Sequence, residues 1–462
     1  MKRRKSLSDS VRYQTMNKAR MPDAYPGRLR LNDELHARPP VALWPNEHIL
    51  YLALVNTSGK RLQEEVIIRD LCDSLGGDSC PTLQGNNIEF DVSLNRDGDL
   101  EPEEGLRFRV KYERHGEFSS WWFFQQTKST DLNQPAEFYF NLDKWLHKLP
   151  GQLLVAMNIR VCQGENVPAM HAMAKRFNNN TLIGSSIAQG AGAAFTDFRL
   201  DANSRSNLVF LNLNMGSRQA GRLLQALVEI ETYRMMALLA LPEVQESFPV
   251  LSKQESELIE VSKMLATPAE SLMTEQTRDL ELQQRISGVS SAIEALSSRT
   301  QFRLSASEAY FQLVQRRIKD LQEINISGIQ GFGEFMERRL VPAMKTCSTF
   351  SLRIRETSHR VSRISQLLQT RVEIAREEQN SKLLASMEER SKHQLHLQQA
   401  VEGLSIVAIS YYGIGLASYV FKAMKTMGLL SDVELATGIA TPMVLLAVAM
   451  LTRKIRNNLR KS

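Results

Sequence analysis

Cysteine is scarce in this chain, with four among 462 residues, and none of the four belongs to a CxxC pair or a zinc-binding spacing. We therefore expect reduced thiols rather than a disulfide framework at Cys72, Cys80, Cys162 and Cys347. The first thirty residues also lack an apolar run of the about 7–15 residues that a secretory signal needs. The N-terminal part is expected to stay in the cytoplasm.

Common catalytic signatures are absent as well. The sequence contains no P-loop, no GxGxxG opening a helix, no GxSxG and no HExxH. The glycine-rich stretch 189–192 follows one predicted strand and precedes another, which is poor context for a phosphate-binding loop. We predict no catalytic residue, no cofactor and no small-molecule substrate, and an enzyme acting through His36 and His115 is the least favoured interpretation.

Little net charge remains once opposite signs are balanced, because 57 basic residues face 51 acidic ones. No basic stripe with interleaved aromatic residues is present, so nucleic-acid binding is not expected. The basic excess lies at the two ends of the chain, where it favours contact with anionic lipid or simple solubility. It consists of Lys2, Arg3, Arg4 and Lys5 and of Arg453, Lys454, Arg456, Arg460 and Lys461.

Long uncharged runs are confined to the C-terminal sixty residues. Residues 403–421 and 435–452 contain no formal charge, and at ~1.5 Å per helical residue the first run covers about 28 Å, close to the hydrocarbon thickness of a bilayer. The mean hydropathy of −0.27 excludes a protein built mostly of membrane spans. We predict a two-helix transmembrane hairpin; two helices buried in a large soluble core are the alternative.

The flanking charges predict the orientation of this hairpin. Five basic residues among the last ten place residues 453–462 in the cytoplasm by the positive-inside rule, and two spans return the N-terminal part to the same side. Small and hydroxyl side chains in the first span are typical of helix packing or of a pore lining. They are Ser405, Ser410, Tyr411, Tyr412, Gly413 and Gly415.

Residues 217–402 are expected to form a stalk of long helices. Residues 343–402 contain neither Gly nor Pro, so a helix that begins after Pro342 meets no breaker before the membrane. Further helices are predicted at 218–241, ended by Pro242, at 251–298, interrupted by Pro268 and Gly288, and at 305–326. An antiparallel bundle and an oligomeric coiled coil both fit this pattern, and the length of the last helix favours a homo-oligomer.

The first half of the chain is typical of a mixed α/β domain, expected over residues 26–216 after a basic tail of residues 1–25. Phe108, Val110 and Tyr112 alternate with Arg107, Arg109 and Lys111, which predicts a strand with one apolar and one polar face. Strands are predicted at 48–56, 86–94, 107–112, 118–125, 152–161, 181–187, 193–200 and 207–213, and helices at 59–75 and 164–177. The fold class is therefore α+β, with one sheet and helices against it.

Three clusters of polar residues are candidates for chemistry. The first is the motif LNDELHARPP at 31–40, whose Asn32, Asp33, Glu34, His36 and Arg38 fit either a metal or acid–base site or a solvated turn. The second, at a predicted hairpin turn, is equally consistent with hydration of the turn; it comprises Glu113, Arg114, His115 and Glu117. The third has helical spacing that fits a divalent cation, although one helix rarely completes a site; it comprises Glu389, His393 and His396.

Several long blocks closely resemble a proteobacterial family of uncharacterised membrane-anchored proteins, a domain of unknown function. These blocks include 31–40, 113–118, 220–242, 337–347, 370–387 and 397–416. The resemblance implies a location at the bacterial inner membrane and anchoring there, with lipid as the first partner. It implies no activity.

The layout of the chain is also similar to that of CorA-type magnesium channels, in which an α/β domain leads through a long helix into the first of two spans. Those channels carry a Gly-Met-Asn signature at the end of that span, whereas this chain has Tyr412-Gly413-Ile414-Gly415 inside it. Two hypotheses follow: a non-catalytic membrane-anchored oligomer, and a channel for Mg²⁺ or another divalent cation.

Overall fold

The computed structural model describes residues 23–29, 31–32, 40–56, 61–74, 87–92, 107–130, 138, 142–267 and 272–459. The chain divides into two compact units, the first within residues 1–260 and 287–360 and the second within 261–286 and 361–462. The described part is mixed α/β, with a sheet in the N-terminal half, long helices after it and two apolar helices at the C-terminus. The predicted fold class is confirmed.

The first unit contains a nine-stranded sheet in the part of the chain that the structure describes. Its strand order is β2-β3-β4-β1-β5-β8-β7-β6-β9, and every neighbouring pair is antiparallel except β5 with β8. The strands are β1 Glu47–Val55, β2 Asn87–Val92, β3 Phe108–Arg114, β4 Phe118–Gln126, β5 Gln152–Gln163, β6 Ile183–Ile187, β7 Gly192–Leu200, β8 Ser206–Asn212 and β9 Ile324–Asn325.

One face of the sheet is covered by three helices: α1 (Arg61–Ser74), α2 (Asp143–Leu146) and α3 (Met170–Arg176). Helix α3 is shorter than the predicted 164–177. Two apolar clusters lie on this face, one around Trp121 and Phe123 and the other around Phe195 and Val209. Burying aromatic side chains of this size contributes on the order of 2–3 kcal/mol each, so these clusters stabilise the sheet.

The opposite face of the sheet carries helix α4 (Ser217–Leu238). The hydroxyl of Tyr51 on β1 lies 2.8 Å from Thr232 Oγ1 on α4, and both side chains are buried. The predicted polar face of β3 therefore does not meet solvent, because Arg109 and Lys111 are 7 % and 1 % exposed. The alternation of residue types is correct, but its interpretation as a half-buried strand was wrong.

The helices that follow begin and end differently from the predictions. Pro242 does not end a helix: α5 runs over Ala240–Ala266, and Pro242 occupies its first turn, where no N–H donor is required. Gly288 does not interrupt a helix either, because it lies inside α6, Leu272–Asp320. The helix predicted at 305–326 ends at Asp320, and Ile324–Asn325 pairs with β6 as β9.

Helix α7 spans Phe332–Thr426 and so begins eleven residues before the predicted start at 343. The carboxylate of Glu323 accepts from the N–H groups of Phe332 at 3.0 Å and Gly333 at 2.9 Å, which satisfies two of the free donors at the helix start. The Ser185 hydroxyl donates to the same carboxylate at 2.6 Å. Pro342 lies inside the helix.

The second unit contains the ends of α5 and the start of α6, most of α7, and helix α8 (Val433–Leu459). Near residue 361 it has a packed interior formed by Val261, Leu282, Ile286, Val361 and Leu368. Arg371 of α7 links to both neighbouring helices. Its Nη1 donates to the carbonyl of Leu265 in α5 at 3.2 Å, and its Nε lies 3.6 Å from Asp279 in α6. Beyond it, residues 376–401 of α7 are all exposed.

Candidate functional site

Two helices of the second unit are long and apolar enough to cross a membrane. The relevant 18-residue windows, in α7 and α8, have mean hydropathies of 1.6 and 1.9, and only 6 % of each is buried inside the protein. Helix α7 continues past the predicted end of the first run to Thr426, α8 begins at Val433, and Gly428 between them has a φ of +82° that favours glycine. The apolar faces of both helices are therefore open to their surroundings.

The small residues of the first apolar run have different surroundings. A Cβ added at Gly413 would meet Val444 Cγ1 of α8 at 3.0 Å, whereas one added at Gly415 meets nothing within 4 Å. Ser410 is buried, and its hydroxyl has no hydrogen-bond partner in the described part of the chain. Ser405 donates to the carbonyl of Val401 in its own helix at 2.8 Å. Helices α7 and α8 thus approach each other at Gly413.

Two tyrosines of this run point away from the protein. Tyr411 and Tyr412 are 75 % and 74 % exposed, and their ring centroids lie 5.8 Å apart. Their exposure leaves both rings available to lipid or to another chain.

The three residues with metal-ligand spacing lie on the exposed part of α7. Glu389, His393 and His396 all face solvent. No group of three or more His, Cys, Asp or Glu side chains in the described part of the chain is arranged to hold a metal ion.

The second predicted polar cluster lies at the turn after β3, and its residues contact different parts of the protein. Glu113 and His115 lie on the α4 side of the sheet, with Glu113 buried and 3.0 Å from the Lys111 ammonium. The His115 ring stacks on Phe118 with centroids 4.1 Å apart. Glu117 instead accepts from both Nη atoms of Arg303 on α6, at 2.8 and 3.1 Å. The cluster therefore does not converge on one point.

Arg114 extends to the other face of the sheet, where it lies 3.1 Å from the buried carboxylate of Glu64 on α1. The same carboxylate accepts from the Tyr112 hydroxyl at 2.8 Å and from Asn56. Burial and the neighbouring Glu64 raise the pKa of Tyr112 above its usual value. Arg114 therefore stabilises the packing of α1 on the sheet, which is a structural role.

A second buried carboxyl–guanidinium pair joins Glu47 of β1 to Arg109 of β3. Glu47 is fully buried with Arg109 3.4 Å away, and the guanidinium of Arg109 lies between the rings of Trp44 and Phe124, 4.5 Å from each centroid. Burial raises the pKa of Glu47 to about 8, and Arg109 only partly offsets this. The pair is enclosed by aromatic rings, so we assign it to packing.

An open cleft of about 440 Å³ lies beside α4 in the first unit, within the ~300–1,000 Å³ usual for small-molecule sites. Arg317 of α6 donates to Glu229 of α4 and, at 3.0 Å, to Asp320. The side-chain amide of Gln225 donates to the other carboxylate oxygen of Glu229 at 2.8 Å. The lining residues are Pro40, Ala188, Gln219, Arg222, Leu223, Gln225, Ala226, Glu229, Arg317, Asp320 and Gln322.

The backbone around this cleft is strained at two places. Ala188 has a φ of +49° and Gln322 a φ of +48°, in a region that residues with a Cβ rarely adopt, at a cost on the order of 1–3 kcal/mol each. The Ala188 N–H donates to the carbonyl of Leu321 at 2.9 Å, which joins the two segments. Strain of this kind is concentrated at functional sites.

Polar side chains continue from the cleft into the interior between α4 and the sheet. Gln225 and Glu229 also line a small cavity with Glu113 and His115, and Gln225 lines another with Lys111. We call Lys111, Glu113, His115, Gln225 and Glu229 the polar seam. It brings two residues of the second predicted cluster close to the cleft.

The motif at 31–40 is only partly described. Asp33, Glu34, His36 and Arg38 lie outside the described residues, while Asn32 is exposed. Pro40, the last residue of the motif, lines the cleft. The motif thus ends at the cleft that sequence reasoning did not predict.

Residues 23–459 match the family model described as "Protein of unknown function (DUF3422)". The chain belongs to this family. The predicted resemblance to a domain of unknown function is thereby confirmed, and the family's domain includes both the cleft and the two apolar helices. No curated protein and no solved structure matches the chain.

The cleft residues Arg222, Glu229 and Arg317 were missed by the sequence analysis. One signal was present: Arg222 and Glu229 are opposite charges seven residues apart on the same predicted helix, and so they share a face. Arg317 gave no such signal, because its partner Glu229 is 88 residues away.

Proposed function

We propose that this protein is an integral protein of the bacterial inner membrane that holds its first unit on the cytoplasmic side. The single observation that carries the proposal is the exposure of the two apolar helices, only 6 % of whose apolar windows is buried within the chain. In helices that belong to a soluble core, most of the apolar window would be buried within the chain. Lipid is the covering that such faces require.

The ends of both helices support the same proposal. Eighteen helical residues cover roughly 27 Å, close to the hydrocarbon thickness. Lys422 and Lys425 follow the first run, and Arg453 and Lys454 follow the second, so each apolar face ends at charges that remain in water. The basic residues after the second run favour a cytoplasmic C-terminus.

Cysteine labelling tests this orientation. In a chain whose four native cysteines are replaced by alanine, Ser431→Cys lies in the exposed connection between α7 and α8, and Ser462→Cys lies at the C-terminus. We expect a membrane-impermeant maleimide to label Ser431→Cys in intact cells with permeabilised outer membranes, and Ser462→Cys only after the cells are opened. The reverse pattern would contradict the orientation. Labelling of both positions in intact cells would mean that α8 does not cross the membrane.

We further propose that the protein is a homo-oligomer. Large apolar side chains recur along the exposed part of α7, and a solvated single helix with this composition would lower its free energy by pairing with another copy. They include Leu383, Leu384, Met387, Leu395, Leu397 and Val401.

The mass of the purified protein in detergent tests this proposal. Light scattering corrected for bound detergent should give at least twice the chain mass of 52.3 kDa. Replacing Leu383 and Met387 by glutamate should shift the mass toward the monomer, while glutamate at Ser381 and Ala385, which are exposed on the opposite side of the helix, should not. A monomeric wild-type protein would contradict the proposed homo-oligomer and would also exclude a pore lined by several chains.

A divalent-cation channel is the second candidate function. It is favoured by one observation: α7 continues without a break from the first unit into the apolar run that carries Ser410 and the two exposed tyrosines. Two spans of one chain cannot line a pore, so the channel needs the oligomer. Cation flux into proteoliposomes, absent in the monomeric variant, is the result that this function requires.

A further inference from the structure

We propose that the cleft beside α4 binds a small polar molecule with an anionic group, carboxylate or phosphate, at one end and hydrogen-bond donors at the other. Arg222 takes the anion, and Glu229 and Asp320 accept from the donors. This inference does not depend on membrane anchoring, because every residue of the cleft belongs to the first unit.

The two arginines of the cleft are not equivalent. Arg317 is engaged by Glu229 and by Asp320. Arg222 lies exposed about two turns earlier on α4 than Glu229, and no ion pair or hydrogen bond of its side chain occurs among the described residues. Its guanidinium is therefore the group that can hold carboxylate or phosphate in the bidentate manner that arginine favours.

The opposite end of the cleft has the reverse character. Glu229 and Asp320 together carry two negative charges against the single positive charge of Arg317. An anionic group placed there would be repelled, whereas hydroxyl or ammonium groups would find acceptor oxygens. The cleft therefore favours a molecule with an anionic group at one end and hydrogen-bond donors at the other.

The backbone and amide groups around the cleft suit such recognition. Ala188 and Gln322 line it together with α4, and the Ala188 N–H donates to the carbonyl of Leu321 beside Gln322. Gln219, Gln225 and Gln322 add amide groups that donate and accept hydrogen bonds. Pre-formed polar positions of this kind fix the orientation of a bound molecule.

Three probes with one carbon skeleton test the proposal by isothermal titration calorimetry on the full chain in detergent: glycerol 3-phosphate, glycerate and glycerol. Glycerol lacks the anion and should bind at least about ten-fold more weakly than the better of the other two, because a charged hydrogen-bonding group is lost. Which anionic probe binds more tightly distinguishes a phosphate from a carboxylate ligand.

Arg222→Gln should remove this preference by weakening the better anionic probe about ten-fold or more. Arg218→Gln is the matched control, since Arg218 is exposed on the same helix one turn earlier but does not line the cleft, and it should change binding less than about two-fold. Unfolding followed by tryptophan fluorescence verifies that both variants are folded. Equal binding of all three probes, binding of none, or equal loss in the two variants would overturn the proposal.

Discussion

Replacing Met443 and Leu446 together by arginine should prevent α8 from crossing the membrane. Both side chains are exposed on α8 near the centre of its apolar run, at 67 % and 60 %. An arginine at the centre of a span costs about 2.5–3.5 kcal/mol in insertion, so the pair costs about 5–7 kcal/mol and outweighs the remaining apolar side chains. The labelling pattern of the wild-type hairpin should then be lost: an impermeant maleimide should label Ser462→Cys in intact cells if α7 still crosses, and should fail to label Ser431→Cys if neither helix does.

The matched control carries the same two charges in the connection between the helices. Leu429→Arg with Leu430→Arg lies among residues 427–432, which the proposed hairpin leaves in water, and should keep the wild-type labelling pattern. A second control, alanine at 443 and 446, keeps the run uncharged. If the variant with arginine at 443 and 446 kept the wild-type labelling at both cysteine positions, α8 would not cross the bilayer.

Gly221→Ala should strongly destabilise the first unit. The added Cβ would overlap the carbonyl oxygen of Val41, well inside van der Waals contact, and the atom it meets is backbone rather than a flexible side chain. Either α4 or the segment after the 31–40 motif must move, at a cost of about 3 kcal/mol. Because Leu43 N donates to the Ser217 carbonyl at 3.1 Å, that segment is fastened to α4.

All four tryptophans lie between residues 44 and 145, so denaturant unfolding followed by their fluorescence reports on the sheet. Gly288→Ala is the control with opposite sign: its Cβ would meet nothing within 4 Å in the middle of α6, and alanine should stabilise that helix by about 0.5–1 kcal/mol. An unfolding free energy in Gly221→Ala equal to that of the wild type would contradict the close approach.

The two apolar helices and most strands could be predicted because their signals are local. An uncharged run of near-spanning length needs no partner to be recognised, and the alternation of Phe108, Val110 and Tyr112 follows from the period of a strand. Alternation indicates which residues share a face, but not what covers that face. The burial of Lys111 beside α4 and of Arg109 between Trp44 and Phe124 was for this reason beyond sequence reasoning.

The start of α7 and the cleft depend on contacts between distant segments. Helix α7 begins at Phe332 because the Glu323 carboxylate, outside the helix, accepts from its first N–H groups. The cleft combines Pro40, Ala188, Arg222 and Arg317, which no spacing rule connects. Of the predicted polar residues, Glu113 and His115 reach the seam behind the cleft, while Arg114 and Glu117 form ion pairs with α1 and α6.

The central claim is that the exposed apolar faces of α7 and α8 are covered by lipid, and partition of the full-length wild-type chain tests it most directly. After expression in bacteria, membranes are sedimented, washed at alkaline pH and extracted with detergent. The account predicts that the chain stays in the washed pellet and enters solution only with detergent. A monodisperse chain in the aqueous fraction before any detergent is added would contradict it.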